Sequence, residues 1–395
     1  LSGSGKGVSG IEKSFDSYLS NDGSSICVKY NIDASNKILS GGKSYIDNKY
    51  YMYSKGVVLN IDNKIQSIAE EISNKYISQG AVIITEVPNC EIRASVSLPS
   101  FTPQNISNYL SDENSPLLNR ILCQYDLGSV FKVITAATAL ENGISPSLKY
   151  DCKGSYNVQD HDFKCFNGIS HGEINMEEAI AYSCNGYFIK LSESIGANKL
   201  LEMSKKFGLG ESITLADDIV SSKGILPSEE SISNPKILAN LSFGQGKLSV
   251  TPVQISALIN AIASGGIYTN PKLVKGLVNS GLEYISEETN INNKRVISES
   301  TSQKLQQFMS ASVEYGTSKK GKPTKVSAAA KTSTAQTGII VNGNKIIQAW
   351  YAGFFPVENP KYCVVILSEG GTGGGKSCGP VFQEIADSMY DIFLS

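Results

Sequence analysis

Two pairs of apolar, β-rich runs sit at opposite ends of this chain, with a helical stretch between them. Near the start, AVIITEVP (81–88) and EIRASVSLP (91–99) are rich in β-branched residues and flank Asn89-Cys90, the pattern of a hairpin. Near the end, VSAAAKTSTAQT (326–337), IIQAWYAGFFP (346–356) and YCVVILSEG (362–370) repeat that texture. The middle carries helical runs such as 129–140, 176–191, 197–210 and 251–266, and 380–394 closes the chain with another. Strands at both ends and helices between predict one sheet built from early and late segments and flanked by helices. A further helix is expected over 63–79, with Ile65, Ile68, Ile72 and Ile77 near one stripe and Gly80 as its stop. Residues 1–55 are rich in Ser, Gly, Asn and Lys, so they are expected to form an end-piece beside a main body over 56–395.

Charge narrows the function. Lys and Arg total 35 against 37 Asp and Glu, a net charge of −2, and only Arg93, Arg120 and Arg295 are arginine. A chain this neutral and this poor in arginine is not built to grip nucleic acid. Hydrophobic residues make up 41%, enough for a substantial core. No run approaches the length of a membrane helix, and the first ten residues read as no signal peptide, so the chain as given is expected to be soluble.

Three short motifs carry the chemistry. The first is Ser129-Val130-Phe131-Lys132, where a helix start would set the lysine one turn from the serine. A lysine amine there can deprotonate a serine nucleophile, and a helix N-terminus offers N–H groups to a developing oxyanion. The same spacing at Ser40–Lys43 and Ser233–Lys236 is interrupted by Gly41-Gly42 and by Pro235, which makes loops of both. The second motif is Ser183-Cys184-Asn185, a hydroxyl and an amide able to relay a proton and hold the lysine. The third is Lys331-Thr332-Ser333-Thr334 on a strand-like run, where hydroxyls and free backbone N–H groups can clamp a carboxylate and an extended peptide.

This order resembles the serine acyltransferases that bind penicillin, with their S-x-x-K, S-x-N and K-T-G motifs. Within them the chain is most similar to monofunctional (class B) penicillin-binding proteins of the sporulation and division type. GVSGIEKSFDSYL (7–19), GVVLNIDNKIQSIAEE (56–71) and AWYAGFFPVENPKY (349–362) support that subtype. The resemblance implies an α/β fold with a central antiparallel sheet flanked by helices and an all-helical subdomain. It also implies that residues 1–55 are the remnant of a pedestal. The implied reaction is D,D-transpeptidation of peptidoglycan stem peptides on the extracytoplasmic face of a bacterial membrane, with β-lactams as covalent inhibitors. A membrane anchor and a membrane-bound glycosyltransferase or division complex belong to the same expectation. Ser129 would be the nucleophile and Lys132 its base, with a nearby Lys331 charge and burial lowering the Lys132 pKa. Ser183 and Asn185 would serve the proton relay, and Thr332, Ser333 and Thr334 the substrate. Two departures stand out. Ser333 replaces the usual glycine and is expected to narrow the cleft, and Gln348 stands where relatives often carry histidine.

Cys152, Cys165 and Cys184 crowd into one region of the chain, together with its only two histidines. Cys152, His161, Cys165 and His171 form a Cys₂His₂ set with gaps of eight, three and five residues, and Asp160 or Asp162 can replace one histidine. A structural zinc ion is one reading; a Cys152–Cys165 disulfide and simple coincidence are the others. Two further function classes compete with the transpeptidase on the same residues. One is a hydrolase, either a D,D-carboxypeptidase or a β-lactamase; the other is a weakly catalytic division scaffold.

Overall fold

The computed structural model describes residues 6–20, 27–35, 37–39, 45–47, 55–279, 281–287, 293–341 and 344–394. The chain divides into two compact units. The smaller comprises residues 1–60, 214–220 and 272–290, so it extends past the boundary expected at 55 and draws in two later segments. Its three-stranded sheet pairs Gly56–Leu59 with Val274–Val278, and that strand with Tyr284–Glu287. GVVL therefore forms a strand as expected, but in this unit and not in the main body. Among the described residues no helix is long and apolar enough to cross a membrane.

The larger unit holds the predicted sheet. Its strands are β1 (Gly80–Glu86), β2 (Glu91–Leu98), β7 (Ala329–Val341), β8 (Asn344–Phe355) and β9 (Tyr362–Glu369). They run fully antiparallel in the order β7-β8-β9-β1-β2, so late strands pair with early ones through β9 and β1. The short strands between β2 and β7 in sequence include β3 (Tyr150–Cys152), β4 (Ser155–Val158), β5 (His161–Lys164) and β6 (Gly172–Ile174). They form two ribbons, β4-β5 and β3-β6.

Helices cover both faces of the sheet. On one face α1 (Asn63–Tyr76) and α9 (Gly379–Met389) pack Ile65, Ile72, Val381 and Phe382 against Val82, Ile84, Tyr351 and Ile366. The isoleucine stripe read from sequence points there, and Asp62 caps the helix by accepting from the N–H groups of Lys64 and Ile65. Against the other face lies α7 (Pro252–Ala263), every residue of which is buried, opened by a capping box between Thr251 and Gln254. A layer of helices continues beyond it: α2 (Lys132–Glu141), α3 (Met176–Ala181), α4 (Asn185–Ile195), α5 (Ala197–Lys206), α6 (Pro235–Ser242) and α8 (Glu299–Glu314).

Phe382 is fully buried, its ring 4.6 Å from Tyr351 and 5.9 Å from Phe355. Truncation there leaves a cavity that three packed layers cannot close. Phe382→Ala should destabilise the larger unit by about 3–5 kcal/mol, read as a shift of the urea unfolding midpoint.

Candidate active site

The segment that brings the first motif to the sheet is held by side chains of β8. Trp350 Nε1 donates to the Asp126 carbonyl at 2.8 Å, and Gln348 Oε1 accepts from the Asp126 N–H. Gln348 thus clips the strand Tyr125–Asp126 in place, a role its position in sequence did not reveal. Arg120, 1% exposed, adds a second anchor by donating to Glu369 at 2.8 Å and to the carbonyls of Asn114 and Ser115. Gly128 then turns the chain with φ +64°, and Ser129 lies in a 3₁₀ turn, Gly128–Phe131, before α2 starts at Lys132. The helix was expected to start at Ser129. A three-residue turn in its place stacks residues i and i+3 directly over one another, which sets Ser129 and Lys132 on the same line.

Lys132 is fully buried, and its Nζ lies 3.0 Å from Ser129 Oγ and 2.9 Å from Ser183 Oγ. It donates at 2.7 Å to both the Ser183 carbonyl and Asn185 Oδ1. These last two oxygens can only accept, so they take both N–H bonds of a neutral amine and leave its lone pair facing the hydroxyls. Burial pushes the Lys132 pKa down to about 8, against the opposing pull of the Cys184 and Cys165 thiols. The expected contribution of a Lys331 charge runs the other way. It is Lys331 that is lowered, by its own burial first and then by Lys132.

The second motif sits at the start of α4. Ser183 holds φ +59°, a conformation few non-glycine residues adopt, and this aims both its carbonyl and its hydroxyl at Lys132. Asn185 also donates to the Lys164 carbonyl at 2.8 Å, which ties the motif to the β4-β5 ribbon. The third motif lies on β7, an edge strand of the sheet. Pairing places Thr332 opposite Tyr351 and Thr334 opposite Ala349, while Lys331 and Ser333 lie opposite Ala352 and Trp350. One face of β7 therefore carries the two threonines and the other carries Lys331 and Ser333. All three motifs border one cleft of about 660 Å³, with Gln245, Thr317 and Gly374 among its other walls. Ser40–Lys43 lies outside the described residues; Ser233–Lys236 is not the loop expected, because Pro235 opens α6 and Lys236 lies in its first turn, with Ser233 outside it.

Ser333 was expected among the substrate-binding side chains, narrowing the cleft. It lies in the wall of the cleft, and its Oγ is buried without a hydrogen-bond partner against Gly128. The cysteine–histidine set needs correction. Cys152, Cys165, His171 and Cys184 bring their ligand atoms within 4.8 Å of one another; Cys184 takes the place assigned to His161. His161 is exposed on β5 and packs edge-on against Phe163 at 4.6 Å. Asp160 lies in the exposed β4-β5 turn, and Asp162 accepts from Asn157, so neither substitutes. Alternation turns Asp162 away from the face that Phe163 buries, while His161 shares the Phe163 face but lies exposed at the start of β5, against that ring. Cys184 was legible as the third cysteine of the cluster, hidden within the serine motif.

Residues 80–387 match the penicillin binding protein transpeptidase domain. The chain belongs to the penicillin-binding protein transpeptidase family. It is 30% identical to Stage V sporulation protein D of Bacillus subtilis over 98% of this chain, and 32% identical to a peptidoglycan D,D-transpeptidase of Mycolicibacterium smegmatis over 74%. It spans 61% and 62% of those two relatives. Penicillin-binding protein A of M. tuberculosis, solved as a ceftriaxone acyl-enzyme, superimposes with a TM-score of 0.78 at 26% identity, over 85% of this chain and 80% of that one. These comparisons support the mixed α/β fold with its antiparallel sheet flanked by helices.

Below its pKa the Lys132 amine is protonated and cannot accept the Ser129 proton. The rate of Ser129 acylation should therefore rise with pH and level off above about 8. A flat profile from pH 6 to pH 9, measured with a fluorescent penicillin, would remove Lys132 as the base.

Proposed function

We propose that this chain is a serine D,D-transpeptidase that cross-links peptidoglycan stem peptides. We place it on the extracytoplasmic face of a bacterial membrane, in a sporulation or division complex with a membrane-bound glycosyltransferase. The observation that carries the reading is the buried Lys132 amine, 3.0 Å from Ser129 Oγ and 2.9 Å from Ser183 Oγ and held by the Ser183 carbonyl and Asn185 Oδ1.

Ser129 Oγ attacks the carbonyl of the penultimate D-Ala while Lys132 accepts its proton. The oxyanion settles between the N–H groups of Ser129 and Thr334, each worth about 3–4 kcal/mol in comparable sites. Ser183 passes a proton to the departing D-Ala nitrogen, which leaves as the free amino acid. Thr332 and Thr334, on the strand face opposite Lys331, hold the terminal carboxylate. An amine from a neighbouring stem then attacks the acyl-enzyme, returns its proton through the same groups and releases Ser129 with the cross-link made. A β-lactam enters the same path and stops at the acyl stage.

We further propose that Cys152, Cys165, His171 and Cys184 hold a structural zinc ion. The donor set fits. Tetrahedral bonds of about 2.3 Å place neighbouring sulfurs about 3.8 Å apart. Here Cys152 and Cys165 are 3.7 Å apart, Cys165 and Cys184 3.8 Å, and Cys152 Sγ lies 3.3 Å from His171 Nδ1. A thiol hydrogen bond from Cys184 and the backbone N–H groups of Gly186 and Asn185 hold Cys165 well below the usual thiol pKa, ready to ligate. Bound there, the ion supplies cross-linking alone. Cys184 lies between Ser183 and Asn185, so the clip fixes the loop that presents both to Lys132.

Native protein exposed to penicillin should gain the mass of one acyl group and keep it for hours, while Ser129→Ala gains none. Rapid loss of the adduct would identify a hydrolase. Purified protein should carry about one zinc per chain. Chelation, or Cys184→Ser, should slow acylation at least about tenfold through the displaced motif. Protein free of zinc, or rates indifferent to chelation, would end the metal proposal and leave the serine chemistry intact.

A further inference from the structure

The hydroxyl of Ser333 belongs to the third motif, yet the mechanism above does not use it. Ser333 is 2% exposed, and its Oγ is buried with no hydrogen-bond partner. A buried hydroxyl without a partner is costly, so its position asks for a reason. It points at Gly128, where an added Cβ would lie 2.3 Å from Ser333 Oγ. The contact is possible only because residue 128 is glycine.

The pair occupies a particular place in the reaction. Gly128 and Ser333 each immediately precede one of the two oxyanion donors, Ser129 and Thr334. Their carbonyl groups belong to the two peptide units whose N–H groups face the oxyanion. Whatever separates Gly128 from Ser333 therefore separates the donors.

Both partners are backed by rigid neighbours. Behind Gly128, the Gly128 N–H donates to the Gly244 carbonyl at 2.8 Å, and a Cβ on Gly244 would lie 1.9 Å from the Gly128 oxygen. Behind Ser333, a Cβ on Gly374 would lie 2.4 Å from the Ser333 oxygen and 2.2 Å from that of Trp350. Backbone thus abuts backbone on each side, and neither the nucleophile turn nor β7 can back away. The only side chain in this stack of Gly244, Gly128, Ser333 and Gly374 is that of Ser333.

We propose that Ser333 is a positioning residue: its side chain acts as a spacer that sets the distance between the two backbone N–H donors of the oxyanion hole. The proposal rests on the transpeptidase reading of the site. A spacer set between hard stops has an optimum, so a smaller and a larger side chain both move the donors off their target. Displacements well under 1 Å at such donors are felt in rate.

The test compares native protein with Ser333→Gly, Ser333→Ala and Ser333→Thr, using penicillin G as the acylating probe. Stopped-flow kinetics separates the dissociation constant of the initial complex from the acylation rate constant. Infrared difference spectroscopy reads the ester carbonyl of the acyl-enzyme, whose frequency rises as its hydrogen bonds weaken. Acylation should slow about tenfold or more in Ser333→Gly and Ser333→Thr, with initial binding within twofold. The ester band should move to higher frequency in both, and Ser333→Ala should fall between Ser333→Gly and the native protein. A structural role alone would lower thermal stability without moving the carbonyl band. Should one variant fail to fold, the remaining two carry the comparison. Rates within twofold of native and an unmoved band would overturn the spacer while leaving the transpeptidase reading in place. Absence of any adduct on native protein would overturn that reading, and the spacer with it.

Discussion

An amine buried without a counter-charge is the constraint around which this molecule is arranged. Among the described residues no carboxylate pairs with Lys132; four oxygens surround it instead. Desolvation favours the neutral form, and the two acceptor-only oxygens orient what remains. Three of these oxygens come from Ser183 and Asn185, 51 and 53 residues along the chain, so the site exists only when the start of α2 and the start of α4 meet. Ser183 accepts a left-handed backbone to complete that meeting. The thiol and imidazole cluster lies directly behind it, sharing Cys184 with the motif. Chemistry and local stability therefore converge on three consecutive residues, 183–185.

The edge strand β7 solves a different problem. A cleft that accepts an extended peptide needs an unpaired strand edge, yet its catalytic backbone must not move. Pairing with β8 fixes one edge, and the turn Gly374–Cys378 presses on the backbone at Ser333. Alternation does the rest, sending Thr332 and Thr334 to one face and Lys331 and Ser333 to the other. One strand thereby turns two hydroxyls to one face and a buried amine and a buried hydroxyl to the other.

Much of this was legible where local spacing alone decides. The sheet was visible from apolar runs at both chain ends, and the isoleucine stripe found the helix α1. The Ser129–Lys132 pairing follows from a turn of three residues, whichever helix type supplies it. What sequence hid depends on tertiary pairing. Whether His161 or Cys184 joins Cys152 depends on which residues of β5 turn outward and on where α4 begins. The boundary between units depends on segments 214–220 and 272–290 returning to the first one. Gln348 looked like an unexplained replacement until its partner proved to be the backbone of Asp126. Ser333 is the instructive case, because the needed signal was present. A period of two already puts residue 333 on the Lys331 face and off the threonine face.

The two buried lysines also bear on what the cleft can hold. Lys331 donates to the Thr332 carbonyl at 3.0 Å, and burial, followed by Lys132, lowers its pKa well below the usual lysine value. Two ammonium groups this close and this deep would repel each other across a poorly screened interior. Burial lowers both pKa values, which moves each amine toward the neutral form. A ligand carboxylate arriving at Thr332 and Thr334 supplies negative charge on the strand that carries Lys331. On the proposed reading, the substrate carboxylate and Lys331 lie on opposite faces of β7, apart by the thickness of one strand.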